Sequence, residues 1–248
     1  MARKAKPKAG RVDMQDLMKL VNKKAGRNVA HDLTGDNPTS VKEWIPTGSR
    51  WLDSIICKGQ VAGIPVGKVT EIAGLESTGK SYMAAQIAAN AQKQGKVVVY
   101  FDSESAIDPS FLERTGCDLE RLMYVQAQSV EFVLETVEEL LGAAEDQLVF
   151  IWDSLAFTPS VSDVEGDFNP QSSMAVKARI LAKGMSKLTI PLADAQATLI
   201  VLNQLKTNIP QGPNARIVAM TTPYTTPGGK AMHYSYSLRV WLTGRKAK

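Results

Sequence analysis

The stretch that most limits what this chain can fold into is residues 67–81, Gly67-Lys68-Val69-Thr70-Glu71-Ile72-Ala73-Gly74-Leu75-Glu76-Ser77-Thr78-Gly79-Lys80-Ser81. A β-type run ends at Ala73, and a loop opens at Gly74 and closes on Gly79-Lys80-Ser81. A helical pattern follows, with Ala84, Ala85, Ile87, Ala88 and Ala91 apolar. This is G-x-x-x-x-G-K-[ST] between a strand and a helix. Glycine at both ends lets the backbone bend sharply and come close to an anion. The N–H groups then converge on the anion at a helix N-terminus, where the dipole also favours negative charge. A chance Gly-rich turn is the bland alternative, and the flanking strand and helix weigh against it. The expected ligand is therefore a nucleoside triphosphate with Mg²⁺. Gly74, Glu76, Ser77, Thr78 and Gly79 would cradle its phosphates, Lys80 would reach the β- and γ-phosphates, and Ser81 would hold the cation.

A chain of 248 residues holds one large domain or two small ones. With 44% hydrophobic and 22% charged residues, it has the composition of a globular protein. No apolar run is long enough for a membrane span and no secretory signal is present, so no membrane partner is expected. Cys57 and Cys117 have neither metal-ligand nor disulfide spacing, and a reducing cytoplasm is the simplest compartment. The net charge of +4 is modest, but Arg3, Lys4, Lys6, Lys8, Arg11, Lys19, Lys23, Lys24 and Arg27 crowd the first stretch. Such a segment touches nucleic acid or an acidic partner, or is simply a solvated tail.

In chain order, residues 1–10 read as disordered. Val12 to Val21 has helical spacing, with Asp13 and Asp16 suited to the first turns and Lys23-Lys24 to the last. This helix has few neighbours in sequence to cover its apolar face, so it packs either on the main domain or on another subunit. Residues 34–40 read as a linker. The expected organisation is a basic segment with an oligomerisation helix over 1–40 and an ATPase core over 41–248. In the core, a short helix is expected around Leu52–Ile56. Gly95 suits the C′ position of the helix after the phosphate loop. Asp108-Pro109 and Ser129 suit helix starts. The runs 96–102, 148–152 and 197–202 fit strands buried on both faces of a parallel sheet. Residues 157–172 read as a polar loop, 173–190 as a helix that Pro191 interrupts, 205–227 as a long loop, and 235–242 as an edge strand. Alternating strands and helices predict one doubly wound α/β domain, with ligands at the strands' carboxyl ends.

The polar residues at those ends are Asp102, Glu104, Asp153, Asn203 and Gln204. Asp153 follows Val149-Phe150-Ile151-Trp152, an arrangement that places a carboxylate near the Mg²⁺ of Ser81; a helix cap is the bland alternative. Glu104 could deprotonate the attacking water, or be a solvated glutamate. Gln204 could sense the γ-phosphate, or merely fix the loop after it. Long loops in compact domains are usually functional or disordered. The second loop carries Lys206, Asn208, Arg216 and Tyr224, with Lys230 beyond, while Lys177, Arg179, Lys183 and Lys187 follow the first. Such side chains bind phosphate backbones, or form a solvated face.

From Thr47-Gly48-Ser49 to Arg239 the sequence resembles the RecA-family recombinases, including the phage UvsX-type members. Thr47-Gly48-Ser49 with Leu52-Asp53 is similar to the family's lead-in, and Gly74 to Ser81 to its phosphate loop. Asp102-Ser103-Glu104-Ser105-Ala106-Ile107-Asp108-Pro109 resembles the segment with the catalytic glutamate, which falls on Glu104. Asp108 and Phe111 fall where the family contacts and stacks on adenine. Ile151 to Ala156 resembles its Walker B strand, and Asn203-Gln204 its ATP-sensing pair. Pro227-Gly228-Gly229-Lys230-Ala231 resembles the end of its second DNA loop, and Arg179 falls on a DNA-contacting arginine. The resemblance implies a RecA-like P-loop NTPase core and a DNA-dependent ATPase. It implies filaments on single-stranded DNA, with ATP at a subunit interface, and pairing with homologous duplex DNA followed by strand exchange. A RecA-core regulator and a helicase-type motor are the rival expectations. Ser105 replaces a commonly seen histidine, and the second loop is longer than usual. The chain stops at Lys248, where the family normally adds strands and often a C-terminal domain with lysines that reach the neighbouring subunit's ATP. A truncated chain, a partial gene product and a naturally short member all fit.

Overall fold

A computed structural model describes residues 13–35, 37–59, 62–145, 147–166, 176–209 and 215–244, excepting the side chains of Ala215, Arg216 and Ala219. Two compact units divide the chain, Met1–Ser40 and Val41–Lys248.

In the first unit, helix α1 (Met14–Ala25) is capped by Asp13, whose Oδ1 accepts the Gln15 N–H at 3.1 Å, and ends on Gly26 in the left-handed region. No residue of α1 is buried. Asn22 Oδ1 accepts the N–H groups of Val29 and Ala30, each at 2.8 Å, folding the following segment back on the helix. Residues 1–10, expected to be disordered, lie outside the described residues.

In the second unit the elements run β1 (Trp44–Ile45), α2 (Arg50–Ile56), β2 (Ile64–Pro65), β3 (Val69–Gly74), α3 (Lys80–Lys93), β4 (Val97–Asp102), α4 (Pro109–Thr115), β5 (Leu122–Gln126), α5 (Val130–Ala143), β6 (Leu148–Asp153), α6 (Val161–Glu165), α7 (Val176–Asp194), β7 (Thr198–Gln204), β8 (Lys206–Thr207), α8 (Ala215–Thr221), β9 (Tyr224–Thr225), α9 (Gly229–Ser235) and β10 (Leu238–Leu242). Six strands form one parallel sheet in the order β10-β3-β7-β6-β4-β5. Successive side chains of a strand face opposite ways, so the apolar runs feed two cores. Val99, Phe101, Phe150, Trp152, Leu199 and Val201 meet the buried residues of α5, α7 and α9 on one face. Ile72, Val98, Tyr100, Val149, Ile151, Ile200 and Leu202 meet the alanine-rich inner side of α3 on the other. Burial on both faces is why these strands read as continuous apolar runs rather than alternating ones.

Asp108 and Ser129 cap α4 and α5, and Gly95 follows α3 with φ 84°. Several details differ from expectation, among them the last strand, which begins at Leu238 because Ser235 ends α9. Strand β5 was not anticipated, because as an edge strand it is half exposed and lacks a clear apolar signal. The 157–172 loop contains α6, where the N–H and hydroxyl of Ser160 both donate to Asp163 Oδ2, at 2.9 and 2.6 Å; 167–172 lie outside the described residues. Pro191 lies inside α7 instead of ending it. Leu188 and Leu192 stay buried on either side of it, and the ladder resumes with Ala195 N–H to the Pro191 carbonyl at 3.0 Å. The 205–227 loop is partly ordered. β8 pairs antiparallel with β9, Lys206 opposite Thr225, and α8 lies between them; 210–214 lie outside the described residues.

Candidate active site

The parallel register brings the strand ends together. Asp102 is opposite Asp153, and Gly74 opposite Gln204. Gly74 must lack a side chain, since a Cβ there would lie 2.3 Å from Thr78 Oγ1. Gly79 takes φ 90° as it enters α3. Lys80 Nζ donates to the carbonyls of Gly74 and Leu75 at 3.3 and 2.9 Å, so the ammonium lies over the loop's own backbone. Glu76 and Ser77 stand exposed on the loop, and Thr78 donates its hydroxyl to the Leu75 carbonyl at 2.8 Å.

Ser81, the second residue of α3, donates its hydroxyl to Asp153 Oδ2 at 2.8 Å. Tyr100 donates to the same oxygen, also at 2.8 Å. Burial raises the Asp153 pKa above the usual carboxylate value, with Glu104 and Asp102 adding to it, while the bonds from Tyr100 and Ser81 pull the other way. Burial and the neighbouring carboxylates push the Tyr100 hydroxyl well above its usual value, so it stays a donor. One serine and one carboxylate suit Mg²⁺, which keeps several waters and takes substrate phosphates as further ligands. No cluster of three or more His, Cys, Asp or Glu suited to a metal occurs among the described residues.

Glu104 projects from the turn after β4. Asp102 shapes that turn by accepting the N–H groups of Glu104 (2.9 Å) and Ile107 (3.2 Å), and the Tyr124 hydroxyl steadies it at 3.2 Å. Glu104 Oε1 accepts the Ser154 hydroxyl at 2.8 Å. Ser154 is locked in turn by Ser103, whose Oγ accepts the Ser154 N–H at 2.9 Å; the Asp153–Ser154 peptide is cis. A cavity of about 250 Å³ is lined by Ser81, Asp102, Glu104, Asp108, Phe111 and Asp153 among others. Phe111 and Tyr82 pack edge-tilted, ring centroids 6.2 Å apart. Asp108 spends both carboxylate oxygens on Ser110, and those bonds lower its pKa.

Gln204 closes β7, half buried, beside the phosphate loop. Next to it Asn203 is fully buried, and its Nδ2 donates to Glu71 Oε1 and to the Pro227 carbonyl, each at 3.0 Å. Glu71, fully buried in β3, pairs with Arg239 Nε at 2.7 Å. Arg239 also donates to Thr226 Oγ1 at 3.1 Å. The phosphate-loop strand and the end of the 205–227 segment thus share one polar network.

Gly228 and Gly229, with φ 112° and 78°, open α9, and a Cβ on Gly229 would lie 3.2 Å from that of Ala178. Lys230 and Arg179, exposed on α9 and α7, follow these contact residues. Lys206 is exposed on β8 and acts electrostatically on Lys177. Arg216 is the second residue of α8, but its side chain lies outside the described residues. Nothing in the sequence sets Ser103, Ser154 or Arg239 apart. Glu71, the one charged residue of β3, and Tyr100, a tyrosine in a doubly buried strand, are the visible signals for the rest. By sequence Lys177 is one of a basic series with Arg179, Lys183 and Lys187. Its Nζ instead donates to the carbonyls of Leu155 (2.8 Å), Ala156 (3.2 Å) and Thr158 (2.5 Å).

Residues 12–247 match the family model of the RecA N-terminal domain. The chain is 36% identical to Protein RecA of Bifidobacterium breve over 220 residues, which is 89% of this chain and 53% of that protein. It is 35% identical to Protein RecA of Colwellia psychrerythraea over 206 residues, 83% of this chain and 56% of that one. It is 34% identical to Protein RecA of Thermus aquaticus over 230 residues, 93% and 64%. The chain thus spans between about half and two-thirds of the length of these curated relatives. With a family model matched over nearly its whole length and the parallel P-loop sheet described above, the chain belongs to the RecA family.

Proposed function

We propose that this protein is a DNA-dependent ATPase that forms filaments on single-stranded DNA and promotes pairing and strand exchange with homologous duplex DNA in the cytoplasm. The observation that carries the reading is the juxtaposition of Gly74 with Gln204, whose neighbour Asn203 holds Pro227 at the end of the 205–227 segment. A group sensing phosphate is thereby tied to a segment rich in hydroxyls and amides that also carries Lys206 and Arg216.

In this account Gly74, Glu76, Ser77, Thr78 and Gly79 form the phosphate cradle. Lys80 leaves the carbonyls of Gly74 and Leu75 for the β- and γ-phosphates. Ser81 and Asp153 would hold Mg²⁺, which when bound would neutralise charge developing on the phosphoryl oxygens. Asp108 and Phe111 receive the adenine. Glu104, aimed by Ser154, takes a proton from water as the water oxygen bonds to the γ-phosphorus; the bond to the β–γ bridging oxygen breaks and ADP is left. Gln204 reads the γ-phosphate and orders the 205–227 segment, an order–disorder switch driven by contacts made only in the ATP state. Arg179, Lys206, Arg216, Gly228, Gly229 and Lys230 line the DNA path. Residues 1–40 join neighbouring subunits, and 41–248 form the ATPase core.

The test is ATP-dependent pairing of a single-stranded oligonucleotide with homologous duplex DNA, run beside a forked duplex. Pairing without unwinding of the fork is expected. Unwinding without pairing would assign the chain to motors, and neither activity would assign it to regulators.

A further inference from the structure

Tyr100 stands in the middle of β4 with no exposure to solvent, in the core between the sheet and α3. The cluster it belongs to there is mostly Ile, Val, Leu and Ala side chains, with Cys117 among them. Phenylalanine would fill that space and bring no polar atom to satisfy. A buried phenol oxygen must find a partner or it destabilises the fold. The partner it finds is Asp153 Oδ2, which also accepts the Ser81 hydroxyl. Two donors, one on a strand and one on a helix, therefore hold the same carboxylate oxygen. Asp153 Oδ1 takes no hydrogen bond from the described residues, so it is the oxygen still available to a cation or to a cation's water. Outer-shell donors of this kind fix the orientation of a ligating carboxylate.

We propose that Tyr100 is a positioning residue for the nucleotide's Mg²⁺, acting through Asp153. The inference rests on the reading of Ser81 and Asp153 as the Mg²⁺-holding pair. It adds a residue whose hydroxyl touches neither nucleotide nor cation. Removing it leaves the carboxylate with one donor and freer to turn, so the cation is held less tightly while the phosphate cradle is untouched.

The experiment uses the whole 248-residue chain and its Tyr100→Phe, Asp153→Asn and doubly substituted forms. Mg²⁺ is titrated at equilibrium against binding of a fluorescent, slowly hydrolysed ATP analogue, and binding is repeated in excess chelator. Tyr100→Phe should raise the Mg²⁺ concentration at half-maximal binding roughly tenfold, the low end of outer-shell effects. Binding in chelator should not change. In the Asp153→Asn background Tyr100→Phe should add little, because both act through one carboxylate. Tyr100→Met, which also lacks the hydroxyl, should repeat the shift and serves if the phenylalanine form folds poorly. A wild-type Mg²⁺ midpoint in the Tyr100 variants, with Asp153→Asn shifted, overturns the role of Tyr100 and leaves the metal pair standing. A wild-type midpoint for Asp153→Asn overturns the metal pair, and Tyr100 with it. Equal loss of binding with and without Mg²⁺, or full additivity in the double variant, marks a merely structural residue and also overturns the proposal.

Discussion

Asn203 Nδ2 lies 3.0 Å from Glu71 Oε1 and 3.0 Å from the Pro227 carbonyl, so one buried amide joins the phosphate-loop strand to the end of the proposed DNA loop. Arg239 completes the network by pairing with Glu71 across the β3–β10 edge. Glu71 is fully buried, and breaking a buried pair typically costs about 3–5 kcal/mol because the remaining charge is uncompensated. Arg239→Met should therefore lower unfolding free energy by an amount of that order in a urea titration, and Glu71→Gln added to it should recover most of the loss. A single variant as stable as wild type would show that Glu71 is satisfied without Arg239.

Lys177 offers a pH signature. Burial lowers its pKa from 10.5 to about 8, with Lys206 contributing and Asp163 opposing. The unfolded chain then binds more protons than the folded one between pH 8 and 10.5, so this group makes stability rise with pH across that window. The rise is absent below pH 8 and complete above 10.5. Urea midpoints at pH 7.5 and 9.5 should therefore climb more for wild type than for Lys177→Met. Parallel pH dependence would mean that the three carbonyls keep the ammonium charged throughout.

Contact with DNA is tested through salt. Neutralising one phosphate contact lowers the magnitude of the log K versus log salt slope by about 0.7 for a single strand. Arg179→Ala and Arg216→Ala should each do so and should weaken DNA binding and DNA-stimulated ATP turnover together. ATP binding without DNA should persist, since neither residue lies in the phosphate loop. Two wild-type slopes would return both side chains to a solvated face.

Assembly is tested by deletion. Met14 and Leu20 on α1 are each 67% exposed and no residue of the helix is buried, a face that calls for a partner. Removing residues 1–30 should leave a folded, ATP-binding core that no longer forms large assemblies with ATP and DNA. Unchanged sedimentation would separate this face from assembly.

Much of this was legible in the sequence because the relevant signals are local. Gly74 to Ser81 is a contiguous motif, and the runs before Asp102, Asp153 and Asn203 are too apolar for anything but doubly covered strands. Those strand ends converge because the sheet is parallel, which brings Ser81 to Asp153 from 72 residues away. What stayed hidden depends on partners distant in sequence. Tyr100 reads as one more core aromatic until Asp153 is beside it. Arg239 and Glu71 are 168 residues apart, and nothing near either announces the pair. β5 and α6 were missed for a different reason: an edge strand and a five-residue helix bury too little to leave a periodic pattern.

ATP turnover by the whole chain, with and without single-stranded DNA and with Glu104→Gln alongside, bears most directly on the proposed function. Removing a positioned general base typically costs about 10²–10⁴-fold in rate. Single-stranded DNA should stimulate the wild type, and Glu104→Gln should bind ATP as before while losing turnover by about that factor. Turnover that ignores DNA, or a Glu104→Gln chain that hydrolyses ATP at the wild-type rate, would contradict the account.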